Sequence, residues 1–127
     1  YLHIQPWASF FGGGIYRPEP EELLNLRHYL LKYGDEYIKL TKNKDFVKEF
    51  GKVGGDELKR FPKWFFADSP HLDLIKKKQH LISHYYTDKE ISHPDFKKLF
   101  LSHCKIAMPW FHFLNKGYRY TERQHTL

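Results

Sequence analysis

The sequence contains little sulfur and no long apolar stretch. Its 127 residues include one cysteine, Cys104, and one methionine. A single cysteine excludes an internal disulfide and fits a reducing compartment. No stretch approaches the roughly 20 apolar residues that a membrane-spanning helix requires. We therefore expect a cytoplasmic protein without a membrane partner.

The motifs of several common active sites are also missing. The sequence has no G-x-S-x-G nucleophile motif, no P-loop, and no H-E-x-x-H or C-x-x-C metal motif. Nine histidines are present, but the pair His80 and His84 extends into a β-prone stretch and does not share a helix face. Cys104 is predicted to be a buried, inert thiol within a helix. These absences predict no metal and no cofactor, and they leave open whether the protein is an enzyme.

The chain is instead rich in aromatic rings and positively charged. Aromatic residues make up 18% of it, and its 41% hydrophobic and 28% charged residues are typical of a globular domain. The rings predict a core of large side chains, with a stacking platform for bases or sugars as the alternative. The chain has 21 Lys and Arg against 15 Asp and Glu, so its formal charge of +6 favours an anionic partner.

Hydrophobic patterning predicts an α+β fold with short strands near the N-terminus and around residues 81–86. Residues 2–6 alternate as a strand does. The three glycines at 12–14 predict a kink or bulge in a second strand. Because strands precede helices and do not alternate strictly with them, α+β is favoured over a doubly wound fold. We expect one domain over residues 1–117 and a polar tail over 118–127.

The remaining patterns predict several helices packed against these strands. One helix begins at Pro18 and is closed by Gly34. Another begins near Pro70 and carries the three lysines at 76–78. A long C-terminal helix runs over residues 94–115, where apolar side chains recur at helical spacing.

Two groups of residues resemble the signatures of a known family. The first reads H-I-Q-P at 3–6, S-F at 9–10, G-G-G-I-Y at 12–16 and P-E-P at 18–20, and the second reads L-K-R at 58–60, P-K at 62–63 and L-I-K at 74–76. Over roughly residues 1–116 the chain resembles the family called domain of unknown function 2461. It departs from the family pattern at Trp7 and Trp64 and in the order Pro70-His71. The resemblance implies an upstream N-terminal half rich in Arg, Lys and Tyr, which would make this chain the C-terminal portion of a longer domain, and it implies no particular activity.

The segment at 59–63 is the best candidate for an anion site. It holds two lysines and one arginine near the helix start predicted at Pro70, where free N–H groups and the helix dipole favour an anion. Arg60 can bind a phosphate or carboxylate at two points. We predict that this segment and the first strand form a cleft for a small anionic ligand. The predicted ligand-binding residues are His3, Gln5, Lys59, Arg60, Lys63 and Trp64.

Several alternatives to this cleft remain open. The segment is otherwise a solvated loop whose cations pair weakly with nearby carboxylates. An enzyme would use the same cleft on a phosphorylated or carboxylate substrate, with His3 as acid or base and Arg60 stabilising negative charge. The net charge also suits a nucleic-acid binder, whose affinity would fall steeply with salt. A structural module or homo-oligomer would instead pair through an open sheet edge.

Overall fold

The computed structural model describes residues 1–60 and 71–121, which form an α+β fold, as predicted. This part of the chain contains three strands and five helices. The strands are β1 (Leu2–His3), β2 (Ser9–Gly14) and β3 (Leu81–Tyr86). The helices are α1 (Pro20–Thr41), α2 (Lys44–Phe50), α3 (Leu72–Ile75), α4 (Asp88–Ser92) and α5 (Phe96–Tyr118).

The three strands form one antiparallel sheet in the order β1-β2-β3. The prediction of a strand at 81–86 is confirmed, and β3 pairs with β2 along its whole length. Side chains alternate between the two faces of a sheet. Phe11 and its partner His84 therefore share the inner face, where the Phe11 ring packs against Phe100 of α5 with centroids 5.6 Å apart. Phe10 and its partner Tyr85 lie on the outer face.

The first strand is shorter than the predicted range of 2–6, because the chain turns immediately after it. The N–H of Ala8 donates to the carbonyl of Gln5 at 3.0 Å, and the Ser9 hydroxyl donates to the same carbonyl at 2.9 Å. These bonds reverse the chain into β2 and leave β1 with two residues.

The bulge predicted at residues 12–14 is wrong, because all three glycines lie in regular register within β2. Gly13 faces α5, where a β-carbon would come within 2.6 Å of the Phe111 ring. Gly14 has a φ of 104°, and a β-carbon there would overlap the carbonyl of His80. The glycines therefore allow a helix and a neighbouring chain segment to approach β2 closely, and they do not interrupt the strand.

Capping residues account for where α1 and α2 begin. α1 begins with a capping box, in which the Glu22 carboxylate accepts the N–H of Glu19 at 3.1 Å. Its backbone kinks at Tyr33, one residue before the predicted stop at Gly34, and helical structure then continues. The Asn43 side chain accepts two N–H groups in the first turn of α2.

Two other helix boundaries differ from the prediction. α3 ends at Ile75, so the lysines at 76–78 do not lie on it. They instead run beside residues 56–58, where the N–H of Lys78 donates to the carbonyl of Asp56 at 2.7 Å. α5 extends beyond residue 115 to Tyr118, which is buried and whose carbonyl accepts the Asn25 side chain at 3.1 Å.

The core lies between α1, α5 and the inner face of the sheet. Tyr29 and Tyr37 of α1 flank Phe113 of α5, with ring centroids 4.9 and 5.3 Å apart. Burying an aliphatic or aromatic side chain contributes about 1.5–3 kcal/mol. The fully buried apolar residues include Phe11, Leu26, Leu30, Phe46, Ile75, Ala107 and Trp110. Among the described residues, every helix is too short or too polar to cross a bilayer.

We expect Gly14→Ala to destabilise the protein more than Gly51→Ala. Both glycines have positive φ, so alanine at either position costs about 1–3 kcal/mol of backbone strain. Only at Gly14 does the new β-carbon also meet a carbonyl, whereas the space around Gly51 is open. Urea denaturation should therefore show an extra loss of about 2 kcal/mol for Gly14→Ala. Equal losses for the two variants would contradict this account of β2.

Candidate functional site

The predicted site residues that the structure describes lie in two separate places. His3 and Gln5 are exposed beside each other, with Nε2 of His3 2.9 Å from Oε1 of Gln5. Lys59 and Arg60 are also exposed, directly after the segment at 56–58 that runs beside the lysines.

The two halves of the predicted cleft attach to opposite edges of the paired strands β2 and β3. β1, which carries His3, lies beside β2. The segment that leads to Lys59 joins the far edge of β3, where Gly54 and Leu81 exchange backbone hydrogen bonds of 2.7 and 3.1 Å. Lys63 and Trp64 lie outside the described residues, so the complete cleft stays a prediction.

A groove of about 290 Å³ covers the glycines of β2 on the outer face of the sheet. We call it the glycine groove. The Tyr1 ring lies directly over Gly12, where an added β-carbon would overlap it. Its lining residues are Tyr1, Phe10, Gly12, Gly13, Gly14, Tyr16, Lys52, Gly54, Gly55, Leu81, Ile82 and Ser83.

The basic side of the glycine groove is held in place by the segment after α2. That helix ends at Gly51, and the following chain crosses to β3, where Gly54 pairs with Leu81. Gly14 pairs with the same leucine from the other side. These three adjacent segments bring Lys52 to the groove, next to the glycine end of β2.

Aromatic rings continue from the glycine groove across the outer face. The Phe10 ring packs edge-on against Tyr1 with centroids 5.8 Å apart, and it also contacts Tyr85 at 5.5 Å. His3 adds its imidazole to the same row, with its ring 5.1 Å from that of Phe10. Tyr1 and Tyr85 are each about 70% exposed. The outer face therefore presents π-surfaces to solvent, as a platform for a flat ring would.

A cluster of polar side chains lies on the inner face of the sheet. Glu49 of α2, His84 of β3 and His103 of α5 bring one carboxylate oxygen and two imidazole nitrogens within 4.8 Å of one another. We call these three residues the histidine cluster. Oε2 of Glu49 lies 3.0 Å from Nε2 of His103 and 3.6 Å from Nδ1 of His84. The Tyr86 hydroxyl lies 2.6 Å from the other His103 nitrogen, Nδ1.

The histidine cluster favours neutral imidazole at its centre. Burial, and then the neighbouring His84, lower the pKa of His103, although Glu49 acts in the opposite direction. Burial also raises the pKa of Tyr86, which keeps its hydroxyl protonated. With a proton on Nε2, His103 donates to Glu49 and accepts the hydroxyl proton of Tyr86. The residues could hold a metal ion, since imidazole and carboxylate are common ligands of divalent ions.

The sequence analysis missed the histidine cluster, because its members are far apart in the chain and come from three elements. Two weaker signals were available. His84 and Tyr86 are two apart in a predicted strand and therefore share a face. His103 falls at helical spacing between the inward residues Phe100 and Ala107 of the long helix. Neither signal identifies Glu49, which the tertiary fold alone brings to the cluster.

A comparison with protein families places the chain in one of them. A family model described as conserved hypothetical protein (DUF2461) matches residues 1–113, which is most of the chain. The chain belongs to this family. No curated protein and no solved structure matches it.

This member of DUF2461 also holds a second buried tyrosine–histidine pair. The Tyr37 hydroxyl lies 2.6 Å from Nδ1 of His80, which is 1% exposed. Burial, followed by the positive charges of Lys77 and Arg27, lowers the pKa of His80 to about 3. Burial raises the pKa of Tyr37. His80 therefore stays neutral and accepts the proton of a tyrosine that stays protonated, which satisfies two polar groups inside the core.

We expect the protein to lose stability as pH falls below about 6.5, in part through His80. The folded state resists protonation of this ring and the unfolded chain does not, so stability is full above the unfolded pKa and declines toward the folded pKa. Between these values one differential proton contributes a slope of about 1.4 kcal/mol per pH unit. His80→Asn, which keeps an acceptor for Tyr37, should flatten the dependence of unfolding free energy on pH between 6 and 4. The exposed His112 serves as the control, and His112→Asn should leave the slope unchanged. A slope equal in wild type and His80→Asn would contradict the assignment.

Proposed function

We propose that the protein binds a small anionic compound carrying a flat ring, in the glycine groove. The single observation that supports this most directly is the combination of tyrosine walls and a lysine around one space of about 290 Å³ beside the glycines of β2. Ligand sites are commonly concave and largely apolar, with a few polar groups that orient the ligand.

The walls of the groove support recognition of a ring. The Tyr1 ring packs directly on Gly12, whose missing side chain leaves room for it, and Tyr1 and Tyr16 are both exposed. An aromatic side chain that stacks on a base contributes about 1–3 kcal/mol. Stacking does not require a particular hydrogen-bond pattern, so these walls alone do not choose between a nucleobase and another flat ring.

The charges around the groove support an anionic group on the ligand. Lys52 lines the groove itself. Lys59 and Arg60 follow on the same chain segment, and we propose that they extend the basic side, together with Lys63. His3 and Gln5 extend the polar side along the outer face, since His3 contacts the groove residue Phe10. A hydrogen bond to a charged group is worth about 1.5–3 kcal/mol, so the loss of one lysine should weaken binding measurably.

We also propose that the protein is cytoplasmic. The partly buried free thiol of Cys104 supports a cytoplasmic location, because thiols persist in a reducing compartment.

If the ligand were a nucleic acid, many phosphate contacts would make affinity fall steeply with salt. A groove that accepts one ring and one anion predicts a much weaker dependence on salt.

We expect Lys52→Ala to weaken binding of a ring-bearing phosphate or carboxylate about tenfold or more. A suitable probe set contains adenosine monophosphate, benzoate and inorganic phosphate, with binding followed by NMR titration of the protein. The matched control is Lys48→Ala, which removes an exposed lysine from α2 that does not line the groove. Arg60→Ala tests separately how far the basic side extends.

The outcomes of this titration separate the alternatives. Resonances of Gly12, Gly14 and Lys52 that shift with adenosine monophosphate, in wild type and Lys48→Ala alike, would support the groove. Equal weakening by Lys48→Ala and Lys52→Ala would indicate general charge attraction and would contradict a defined site. No saturation by any probe at millimolar concentration would also count against the proposal.

A further inference from the structure

We propose that Glu49, His84 and His103 form a binding site for a divalent transition-metal ion such as Zn²⁺. This site is independent of the glycine groove, because it lies on the opposite, inner face of the sheet. His84 pairs with Phe11 on that face, whereas the groove lies over Gly12 and its partner Ser83.

The spacing of the three side chains suits a metal ion. Zinc binds imidazole nitrogen and carboxylate oxygen at about 2.0–2.2 Å, so ligands at tetrahedral angles lie about 3.4 Å apart. Glu49 Oε2 lies 3.0 Å from His103 Nε2 and 3.6 Å from His84 Nδ1. All three ligand atoms lie within 4.8 Å of one another, so small side-chain rotations bring them to a common centre.

The groups behind the ligands match the outer partners of a metal site. Imidazoles that bind a metal usually direct their second nitrogen at a hydroxyl, carbonyl or carboxylate, which fixes the ring. His103 directs Nδ1 at the Tyr86 hydroxyl at 2.6 Å. When a metal occupies Nε2, Nδ1 carries the proton and donates to that hydroxyl oxygen. Nδ1 of His84 instead lies 2.6 Å from the main-chain carbonyl of Glu49, a bond that metal binding through this nitrogen would replace.

Access to the site is available past Glu49 and His84. His103 is 2% exposed at its side chain, but Glu49 and His84 are 23% and 22% exposed. An ion can therefore enter past the half-buried pair and meet the buried imidazole. Binding through Nδ1 of His84 requires this nitrogen to exchange its carbonyl bond for a bond to the ion. Three protein ligands leave a fourth position open toward solvent.

A bound ion would add a further link among three elements that already meet through apolar contacts and through the hydrogen bonds around the histidine cluster. The ligands come from the end of α2, the middle of β3 and the first half of α5. An ion that binds the folded state and not the unfolded chain raises stability with its concentration. The site therefore predicts a metal-dependent rise in melting temperature as well as direct binding.

The test is titration of the metal-free protein with Zn²⁺ by calorimetry, together with Co²⁺ binding followed by visible absorption. We expect one strong site per chain, with a dissociation constant of micromolar or tighter. His84→Asn and Glu49→Gln should each weaken binding at least tenfold, and Tyr86→Phe, which removes only the outer partner, should weaken it about tenfold. Circular dichroism of each variant checks that the fold is retained.

The control is His112→Asn, which removes an exposed histidine of α5 that is not in the histidine cluster. This variant should bind Zn²⁺ as wild type does. The Co²⁺ spectrum of wild type should show the absorption of a four-coordinate site and should be lost in His84→Asn. Unchanged binding in both His84→Asn and Glu49→Gln would overturn the proposal, as would the absence of a stoichiometric site in wild type. Neither result would bear on the glycine groove, since the two sites share no residue.

Discussion

The close approach of β2 to α5 is the constraint on which the rest of the structure depends. Gly13 has no side chain, so the ring of Phe111 packs directly on the strand backbone. That contact brings α5 near enough for Phe11 to reach Phe100 and for the helix to meet α1 through Phe113. Because interiors are packed as densely as organic crystals, an added methyl group at this position would force the Phe111 ring to move.

The same approach gives the two faces of the sheet different chemistry. On the inner face, short helix–sheet distances force polar residues to find partners, and His80 and His103 each pair with a tyrosine. A buried polar group without a partner costs about 1–3 kcal/mol, so each of these hydrogen bonds prevents a loss of stability in the core. On the outer face the described helices provide no cover. The rings of Tyr1 and Tyr85 are therefore exposed there.

Much of the fold follows from local signals, and most of the candidate sites do not. The β-prone run at 81–86 and the apolar spacing of α5 led to the correct elements, because each pattern spans one continuous segment. The glycines at 12–14 were read as a bulge because conformational freedom is their usual local meaning. Gly13 is instead required by the ring of Phe111, about a hundred residues away, and Gly14 by the carbonyl of His80, and no local pattern records either contact. The histidine cluster was missed because its members lie far apart in the chain. The Lys59 segment was predicted as a site because its charges lie close together in the sequence.

The pairing of Gly54 with Leu81 has a consequence for the behaviour of the chain in a crowded solution. An unpaired strand edge is a template on which other chains add strands. Here the edge of β3 is paired at Leu81 by Gly54, and the other edge of the sheet is a strand of only two residues. The segment that carries Lys52 thus also covers this end of β3. Any motion that opens this side of the groove would expose the N–H and carbonyl of Leu81. If a ligand binds the glycine groove as proposed, its exchange and the resistance of the sheet to aggregation would be coupled through these two hydrogen bonds.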